Sequence, residues 1–495
     1  MKTTMKHDAI IIGAGLGGLA CGSILSQAGM RVLVLEQGAQ VGGCLQSYHR
    51  RGAEFDTGFH YVGGLDEGQS LHSAFKGLGL LDLPWHLMDR EFDRITIGNE
   101  NYSIAQGYEV FVDTLAQCFP QERDALLEFV EVMKVATAGQ YTAIDPRHVD
   151  VPAMPEALSQ SAWQYLEQHF RDRRLIDVLG GSMFKLELRR QSLPLFTLAH
   201  TLSGYLESSW RLKGSGQQIA GALADGITAR GGTIITGAIV RELIERDGKV
   251  VAVRLQSGEE IEADHFVSSA HPAVTMDMLH NSKTVRPLYR RRITSLENTA
   301  GMFTVSLALK QGTLPYFNWN QYVYDKYDVW SIGEDNMPVK GIMISCRVPD
   351  DNSGFTTQLD LMTPMDWSQC ERWTATRVGH RGGQYMSWKE MVASQCIALA
   401  SRFIPGLETM IEQQQVSTPL TYRDYTLSPH GSAYGVRKDY RNALMTNLSP
   451  RTPLPNLLLT GQSLIVHGLH GTTMAALLTA SEVVGKEFVY NNYVI

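Results

Sequence analysis

The stretch DAIIIGAGLGGLACGSILSQAGMRVLVLEQ, Asp8 to Gln37, decides the fold of this chain. Ala9 to Ile12 is a short, continuous apolar run, which is typical of a strand buried on both faces. A G-x-G-x-x-G pattern follows, formed by Gly13, Gly15 and Gly18. Helical spacing then runs from Leu19 to Ala28, and Val32 to Leu35 has the pattern of a second buried strand. The order strand, glycine turn, helix, strand predicts a nucleotide-binding unit.

The glycines and the acid after them have separate expected roles. Gly13 permits a tight turn, Gly15 lets the backbone approach a pyrophosphate, and Gly18 lets helix and strand pack closely. The helix N-terminus then directs its free N–H groups at phosphate. Glu36 lies 18 positions after Gly18, where a carboxylate can accept hydrogen bonds from the adenosine ribose hydroxyls and would repel a 2′-phosphate. These four residues predict a dinucleotide site in an α/β, Rossmann-type domain.

A second part of the same site is expected near the other end of the chain. Leu457 to Leu459 has the pattern of a buried strand, and Gly461 and Gln462 follow it. A glycine-rich loop containing Gly471 then leads into a helix predicted from about Thr472 to Val484. The N–H groups of this helix would face the crevice at the carboxyl edge of the sheet, where they can stabilise negative charge on a reduced flavin. One dinucleotide held by both ends of the chain implies FAD.

Several segments carry a resemblance to a known family. QGAQVGGCLQSY, with the glycine pair Gly42 and Gly43, resembles the flavoprotein superfamily that includes glutathione reductase and the amine oxidases. Within it, the chain looks most like the phytoene desaturase, carotenoid isomerase and retinol saturase group, and FDTGFHYVGG looks especially like the retinol saturases. The resemblance continues in GSGQQIAGALADGITARGG, VSSAHP, STPLTYRDYTLSPHGSAYG and NLLLTGQSLIVHGLHGTTMAALLTASEVVG. It is weakest between about residues 75 and 210.

This resemblance implies a discontinuous architecture. We expect an FAD-binding domain from 1–75, 210–285 and 435–495, and an α+β substrate-binding domain from 76–209 and 286–434. The expected FAD-binding residues are Gly13, Gly15, Gly18, Glu36, Gly42, Gly43, Gly461, Gln462, Gly471 and Thr472, and no metal ligand is expected. The chain departs from the group at Cys44, where Arg or Lys is frequent, and from related flavoproteins at Gln462, where Asp is frequent.

The remaining patterns fill in the two domains. Asp247-Gly248 predicts a hairpin turn between Ile239–Arg246 and Val250–Leu255. Helical spacing dominates between about 76 and 209, whereas alternating apolar residues predict strands at Phe303–Leu309, Ile342–Cys346 and Thr356–Met362. The apolar segment Ser192–Leu212 fits either a buried helix or a surface that enters the interface of a bilayer.

The segment Phe59-His60-Tyr61 supplies the candidate catalytic residues. If the glycine-rich stretch lies along FAD, this segment enters the pocket beside the isoalloxazine. His60 is the candidate proton donor to a carbon skeleton that accepts hydride, because its reference pKa is near neutral. Tyr61 is the second candidate. The alternatives are a hydrogen-bonded strand histidine and a core tyrosine. Packing or cofactor-loop roles are expected for His271, Tyr434, His467 and His470.

Composition limits the classes of partner and location. The 495 residues exceed the roughly 250–300 at which a single core stops growing, so at least two domains are expected. The net charge of −7 comes without any long basic block and disfavours nucleic-acid binding. The six cysteines form no C-x-x-C pair, which indicates a cytoplasmic, reduced protein. The uncharged run from Ala9 to Met30 is too glycine-rich for a good membrane helix, although peripheral membrane contact would suit an apolar substrate.

The leading hypothesis is therefore an FAD-dependent oxidoreductase acting on carbon–carbon double bonds of a long apolar isoprenoid or polyene. The resemblance favours saturation by hydride from reduced flavin, with NAD(P)H as a transient electron donor because no second dinucleotide fingerprint is present. Desaturation and cis–trans isomerisation are alternatives on the same fold. More distant alternatives are a flavin amine oxidase, which would call for an aromatic cage and a catalytic lysine, and a non-catalytic lipid-binding escort like the Rab GDP-dissociation inhibitors. The oligomeric state is left open.

Overall fold

The structure, a computed structural model, describes residues 6–147, 156–332, 339–351 and 353–495. Two seven-stranded sheets carry the architecture of this part of the chain. Its helices are Leu16–Gln27, His72–Gly77, Tyr108–Cys118, Arg123–Ala138, Ala162–His169, Arg173–Gly181, Leu195–Glu207, Gln217–Ala229, Pro272–Met278, Pro287–Thr294, Gly382–Ala400, Leu407–Met410, Pro419–Thr426, Ala443–Thr446, Gly468–Val484 and Lys486–Tyr493.

The first sheet, called the Rossmann sheet below, has a parallel core. Its parallel strands are, in spatial order, Thr233–Ile235, Val32–Leu35, His7–Ile12, Glu260–Ser268 and Leu457–Leu459. Lys249–Leu255 and Val240–Arg246 extend it as an antiparallel hairpin. The sheet is covered on both faces: Ile11 packs in the cluster that contains helix Leu16–Gln27, whereas Ile10 and Ile12 pack in the cluster on the other side. Burial on both faces explains why these strands read as continuous apolar runs.

Several sequence-based expectations for this sheet are confirmed. Val32–Leu35 and Leu457–Leu459 are strands with the predicted bounds. The predicted turn is present, with positive φ at both Asp247 (49°) and Gly248 (76°), the combination that a type I′ hairpin turn requires. The fold class is confirmed as α/β with a Rossmann-type unit.

The second sheet is mainly antiparallel. Its strand order is Ile411–Ser417, Gly301–Leu309, Gln358–Met365, Gly341–Cys346, Asn320–Tyr324, Asp93–Ile97 and Glu100–Ile104. One face packs on helix Gly382–Ala400, and the other face packs on the helices of residues 108–207. The three predicted strands of this region are present, the third of them split into Phe355–Thr356 and Gln358–Met365. The exact domain boundaries stay a prediction.

The helical interpretation of residues 76–209 was incomplete. This region also supplies the strands Trp85–Leu87, Asp93–Ile97, Glu100–Ile104 and Ser209–Leu212. Asp93–Ile97 and Glu100–Ile104 form a hairpin, and Gly98 turns it with a φ of 61°. The sequence did contain a signal for the hairpin, because Asp93–Ile97 alternates between buried and partly buried residues and a glycine turn follows it. The strand is too short to be distinguished from the longer helical segments around it.

The segment Ser192–Leu212 folds as a buried helix followed by a strand. Helix Leu195–Glu207 is buried along most of its length, and strand Ser209–Leu212 joins a small sheet. The buried-helix hypothesis is therefore confirmed, and the alternative of a bilayer-facing surface is wrong for this segment, because its apolar side chains already pack in the core. Among the described residues, no helix is long and apolar enough to cross a membrane.

Candidate functional site

In the glycine loop after the first strand, the backbone of Gly13 lies close to Leu35 on one side and to Gly18 on the other. Gly13 has a φ of 95° and donates its N–H to the carbonyl of Leu35 at 2.8 Å. A Cβ on Gly18 would lie 2.0 Å from the carbonyl oxygen of Gly13, so only glycine fits there. Gly15 begins the helix without a side-chain cap, and a Cβ on it would meet nothing within 4 Å. The first turn of this helix thus presents an open, uncapped face.

Glu36 is fixed beside this loop. Its side chain is buried at the end of the second strand. Its Oε2 accepts the N–H of Ala14 at 2.8 Å, and its Oε1 accepts the N–H of Gly38 at 2.7 Å. A carboxylate has about four lone-pair sites, so these two bonds orient the group and leave acceptor capacity for ribose hydroxyls.

The second glycine pair runs directly alongside the first loop. Gly42 donates its N–H to the carbonyl of Ala14 at 2.8 Å. A Cβ on Gly43 would lie 3.2 Å from the Cα of Gly15, which leaves little room for any side chain at that position. Next to the pair, burial raises the pKa of the Cys44 thiol to about 11, so this cysteine stays protonated at neutral pH.

The two ends of the chain meet at this loop. A Cβ on Gly17 would lie 2.8 Å from the Cα of Gly461, which follows the strand Leu457–Leu459. The middle of the chain also reaches the loop, because the Oγ of Ser269 accepts the N–H of Gly18 at 3.1 Å. Gln462, directly after Gly461, is partly exposed. Segments far apart in sequence therefore share one crevice at the carboxyl edge of the Rossmann sheet.

The last long helix brings a second uncapped N-terminus to this crevice. It begins at Gly468, four residues before the predicted start, and His467 at its N-cap makes no side-chain capping hydrogen bond. Gly471 and Thr472 consequently lie in its first turn and not in a preceding loop; a Cβ on Gly471 would lie 2.4 Å from the backbone of Val466. Two glycines in the first turn made this part of the helix look like a loop in the sequence. Two uncapped helix ends and glycine-lined walls fit a dinucleotide with a pyrophosphate. The contacts of the individual residues with the cofactor stay predictions.

The candidate catalytic segment is held against the second sheet. Strand Ala53–Asp56 is anchored there by Arg347, whose Nη2 donates to Oε2 of Glu54 at 2.9 Å and whose Nη1 donates to the Glu54 carbonyl at 3.1 Å. His60 and Tyr61 follow in the link before strand Val62–Gly63. The alternative of a strand histidine is therefore wrong, because glycine and turn residues interrupt the strand before it reaches His60.

His60 faces an acid that the sequence analysis missed. Its Nδ1 lies 3.8 Å from Oδ2 of Asp360, and Oδ1 of Asp360 accepts the hydroxyl of Ser306 at 2.5 Å. Burial lowers the pKa of His60, and the charge of Asp360 opposes this shift. Burial likewise raises the pKa of Asp360. At this distance the two groups interact through charge and not through a hydrogen bond, and together they can carry one proton, as a proton donor must. Asp360 is a charged residue inside a mainly apolar strand, and this unusual position could have identified it as a candidate functional residue from the sequence.

Tyr61 belongs to a buried polar cluster. Its hydroxyl donates to Oδ2 of Asp93 at 3.0 Å and lies 3.1 Å from the hydroxyl of Tyr322. Lys185 donates to the same Asp93 oxygen at 2.8 Å, and its ammonium lies 4.2 Å from the ring centroid of Tyr205. Burial raises the pKa of Tyr61 well above its usual range. The hydroxyl of Tyr61 is therefore engaged within the core, as the alternative interpretation expected, and its catalytic role stays a prediction.

A mainly apolar chamber lies between the loop after helix Arg173–Gly181 and the start of strand Gly301–Leu309, with Tyr434 at its edge. The ring of Tyr434 stacks on His467 with centroids 4.4 Å apart, and its hydroxyl donates to the carbonyl of Phe184. His467 in turn contacts the carbonyl of Lys185 through Nε2 at 2.9 Å. The chamber is lined by the apolar side chains of Met183, Phe184, Leu186, Leu188 and Met302, by Tyr434, and by the charged residues Glu187 and Arg189. Tyr434 thus joins the chamber to the crevice at the last helix.

The other candidate histidines have local partners in the core. His271 caps helix Pro272–Met278, since its Nδ1 accepts the N–H of Ala273 at 3.2 Å and its Nε2 contacts Asn298 at 2.7 Å. The ring of His470 lies 4.8 Å from that of His200, and the Nε2 of His470 finds no hydrogen-bond partner among the described residues. Burial lowers the pKa of both His200 and His271 to about 4. His271 thus has a structural contact of the kind expected for it, whereas the role of His470 stays a prediction.

Acid is expected to destabilise the fold through the buried histidines. Burial lowers the pKa of His200 and His467 to about 4 in the folded state, against about 6.5 in the unfolded chain. The unfolded chain therefore binds these protons first, and the stability that they contribute is complete above about pH 6.5 and is lost as the pH falls towards about 4. The urea midpoint should fall across this window, and His200→Phe should reduce the fall. The exposed His49→Gln serves as the control, and an identical pH dependence in all three proteins would contradict the prediction.

Comparisons with known proteins agree with this geometry. The family model described as flavin containing amine oxidoreductase matches residues 16–359. The chain is 28% identical to an all-trans-retinol 13,14-reductase from Macaca fascicularis, over 97% of this chain and 86% of the relative. It is 26% identical to a chloroplastic prolycopene isomerase from Daucus carota, over 87% and 72%. A solved structure of putrescine oxidase bound to putrescine superposes with a TM-score of 0.65 at 16% identity, over 97% and 99%.

The fold and the family point to one cofactor and one class of enzyme. The matched family is flavin-containing, which implies FAD for the crevice that both chain ends form. The similarity to putrescine oxidase at low identity supports the fold alone. The predicted family resemblance is confirmed, and the protein is a flavin-dependent oxidoreductase. The chain belongs to the flavin containing amine oxidoreductase family.

Proposed function

We propose that this protein acts on carbon–carbon double bonds of a long apolar polyene or isoprenoid, with saturation as the leading direction. The observation that carries the proposal is the apolar chamber that ends at Tyr434, beside the N-terminus of the last helix. A site for a small polar substrate would need convergent polar groups in the chamber, whereas the side chains between Met183 and Leu188 that line it are mainly apolar.

The chain's own residues would perform three tasks around the cofactor. FAD, when bound, supplies the hydride chemistry. The chamber excludes water and aligns the double bond, which lowers the entropic part of the barrier. The N–H groups at the start of helix Gly468–Val484 stabilise negative charge on the cofactor's ring system. The pair His60–Asp360 holds the proton that the second carbon of the double bond receives.

The names of the similar proteins favour saturation and leave two rivals. All-trans-retinol 13,14-reductases are among the relatives, which supports reduction of a polyene double bond. A prolycopene isomerase is also among them, so redox-neutral cis–trans isomerisation is the second candidate. Desaturation, the formal reverse of saturation, would use the same chamber and the same pair of residues.

Two more distant alternatives have less support. For amine oxidation, Lys185 is buried beside Tyr61 and Tyr205, but its ammonium is already paired with Asp93. A lipid-binding escort without redox chemistry would not need the close glycine contacts that Gly17 and Gly18 make in the cofactor crevice.

Electrons and substrate must both reach this site from outside. We infer that NAD(P)H reduces the flavin, and that it docks transiently, because the sequence contains no second dinucleotide fingerprint to hold it. Peripheral contact with a membrane would give an apolar substrate a route to the chamber. The electron donor and the membrane contact are proposals that rest on the expected chemistry. A cytoplasmic location is a proposal that rests on the cysteine pattern.

The decisive experiment offers polyenes to the reduced protein. Purified holoprotein, photoreduced without oxygen, is mixed with retinoids and carotenoids, and loss of conjugation is followed by absorbance. Saturation should shorten the absorbing chromophore and reoxidise one flavin for each bond reduced. A change of isomer without flavin reoxidation would instead support isomerisation. Peroxide formation with amines and no reaction with any polyene would overturn the proposal.

A further inference from the structure

Arg189 is a positively charged residue in the lining of the apolar chamber. It follows helix Arg173–Gly181, lines the chamber together with Leu186 and Leu188, and is partly buried. Within the described part of the chain, its guanidinium makes no hydrogen bond and no ion pair. A guanidinium is always charged and carries five N–H donors, so the Arg189 side chain is free to bind an anionic group of a ligand in the chamber.

The neighbouring charges are compensated, which isolates Arg189. Glu187, on the same rim, accepts from Nε of Arg437 at 2.6 Å and from the N–H of Ala300 at 2.8 Å. Arg190, the next residue, donates to Oδ1 of Asp328 at 2.7 Å, and its guanidinium lies 4.4 Å from the ring centroid of Trp163. Among the described residues, Arg189 is therefore the charged group of the chamber lining that has no protein partner.

We propose that Arg189 binds the carboxylate end of the substrate, so that the chamber takes a polyene or isoprenoid acid. This inference rests on the proposed function and narrows its substrate class. A guanidinium matches a carboxylate through two parallel hydrogen bonds. A single cation balances a single negative charge, whereas a diphosphate would need several cations.

Anchoring one end would also determine which double bond reacts. With the carboxylate at Arg189, the apolar chain runs past Leu188 and Phe184 towards Tyr434. Tyr434 stacks on His467, the N-cap of helix Gly468–Val484 at the cofactor crevice. The distance from the acid group to the reacting bond is then set by the protein, and esters or alcohols would bind in a less defined register.

The test measures binding to oxidised holoprotein, which needs no turnover. The probes are all-trans-retinoic acid, its methyl ester and all-trans-retinol, and the signal is quenching of protein fluorescence. The wild-type protein should bind the acid about 10- to 100-fold more tightly than the ester, the value of a charge-assisted, bidentate contact. Arg189→Gln should remove this preference and leave the Kd of the ester within about twofold. Arg189→Lys keeps the positive charge but cannot donate two parallel hydrogen bonds to a carboxylate, so its preference for the acid over the ester should be intermediate.

The control is Arg190→Gln, which removes an adjacent arginine that already has a partner and should keep the preference for the acid. Equal affinity for acid and ester in the wild-type protein, or equal losses of both in Arg189→Gln, would overturn the role of Arg189. Turnover of the same probes by reduced protein separates the two proposals. An acid that binds selectively without losing a double bond overturns only the proposed function. An ester that is saturated as well as the acid and binds equally overturns only the anchor.

Discussion

Gly15→Ala is expected to abolish tight FAD binding while the apoprotein stays folded. A Cβ at this position meets nothing within 4 Å in the protein, and φ is −74°, so the backbone accepts alanine without strain. The added methyl group projects at the uncapped helix N-terminus, where a pyrophosphate has to approach the N–H groups. Losing one or two charge-assisted hydrogen bonds should weaken FAD binding by about 10²-fold or more. The measurement is the FAD Kd by fluorescence, together with the urea midpoint of the apoprotein.

The same glycine-to-alanine change at Gly18 and at Gly221 shows what it does to folding stability where the protein leaves no space and where it leaves open space. A Cβ on Gly18 would lie 2.0 Å from the Gly13 carbonyl oxygen, a backbone atom that cannot turn away, so about 3 kcal/mol of folding stability should be lost. Gly221, within helix Gln217–Ala229, has open space, and alanine there should stabilise by about 0.5–1 kcal/mol. Normal FAD affinity in Gly15→Ala would show that the pyrophosphate does not bind at this helix end.

Removing the shared proton of His60 and Asp360 is expected to slow saturation by about 10²–10⁴-fold. His60→Gln and Asp360→Asn should both show this loss, whereas photoreduction of the flavin and the Kd of the polyene should change little. The two residues lie 3.8 Å apart and act as one unit, so the double variant should be no slower than the slower single variant. Single-turnover loss of conjugation in the reduced enzyme measures the step.

The pH profile gives an independent test of this pair. Burial lowers the pKa of His60 and raises that of Asp360, so the pair titrates as a unit that loses one shared proton as the pH rises. Saturation should therefore decline on the alkaline side, and Asp360→Asn should shift this decline to lower pH because the carboxylate no longer stabilises the protonated imidazole. His49→Gln, which changes an exposed histidine away from the pair, is the control. An unchanged rate and profile in both pair variants would assign the proton to another donor.

Local sequence was enough for the cofactor half of the molecule. Gly13, Gly18 and Glu36 act over short distances in one strand–turn–helix unit, and their positions follow from backbone geometry that only certain residues allow. The apolar runs Val32–Leu35 and Leu457–Leu459 are fully buried strands for the same reason. Short-range rules therefore predicted the fold class and the dinucleotide-type loop.

The sequence-based predictions of secondary structure were wrong where the local residue pattern and the tertiary packing favour different structures. The last long helix begins at Gly468 although glycine disfavours helix, because close packing of Gly471 on the backbone of Val466 leaves no room for a side chain. The strands at Asp93–Ile97 and Glu100–Ile104 are too short to be distinguished from their helical surroundings. They form because Asp93–Ile97 pairs with Asn320–Tyr324 on one side and with Glu100–Ile104 on the other.

By itself, the sequence determined a Rossmann-type, flavin-binding α/β protein, since that conclusion needs only the types and spacing of residues within contiguous segments. Only the tertiary structure decided which residue faces His60, that Tyr61 donates to Asp93, and that Arg189 lines the chamber together with Tyr434. These contacts join residues that are 300, 32 and more than 200 positions apart. Such relations arise when the segments pack together, and no local pattern of residues encodes them.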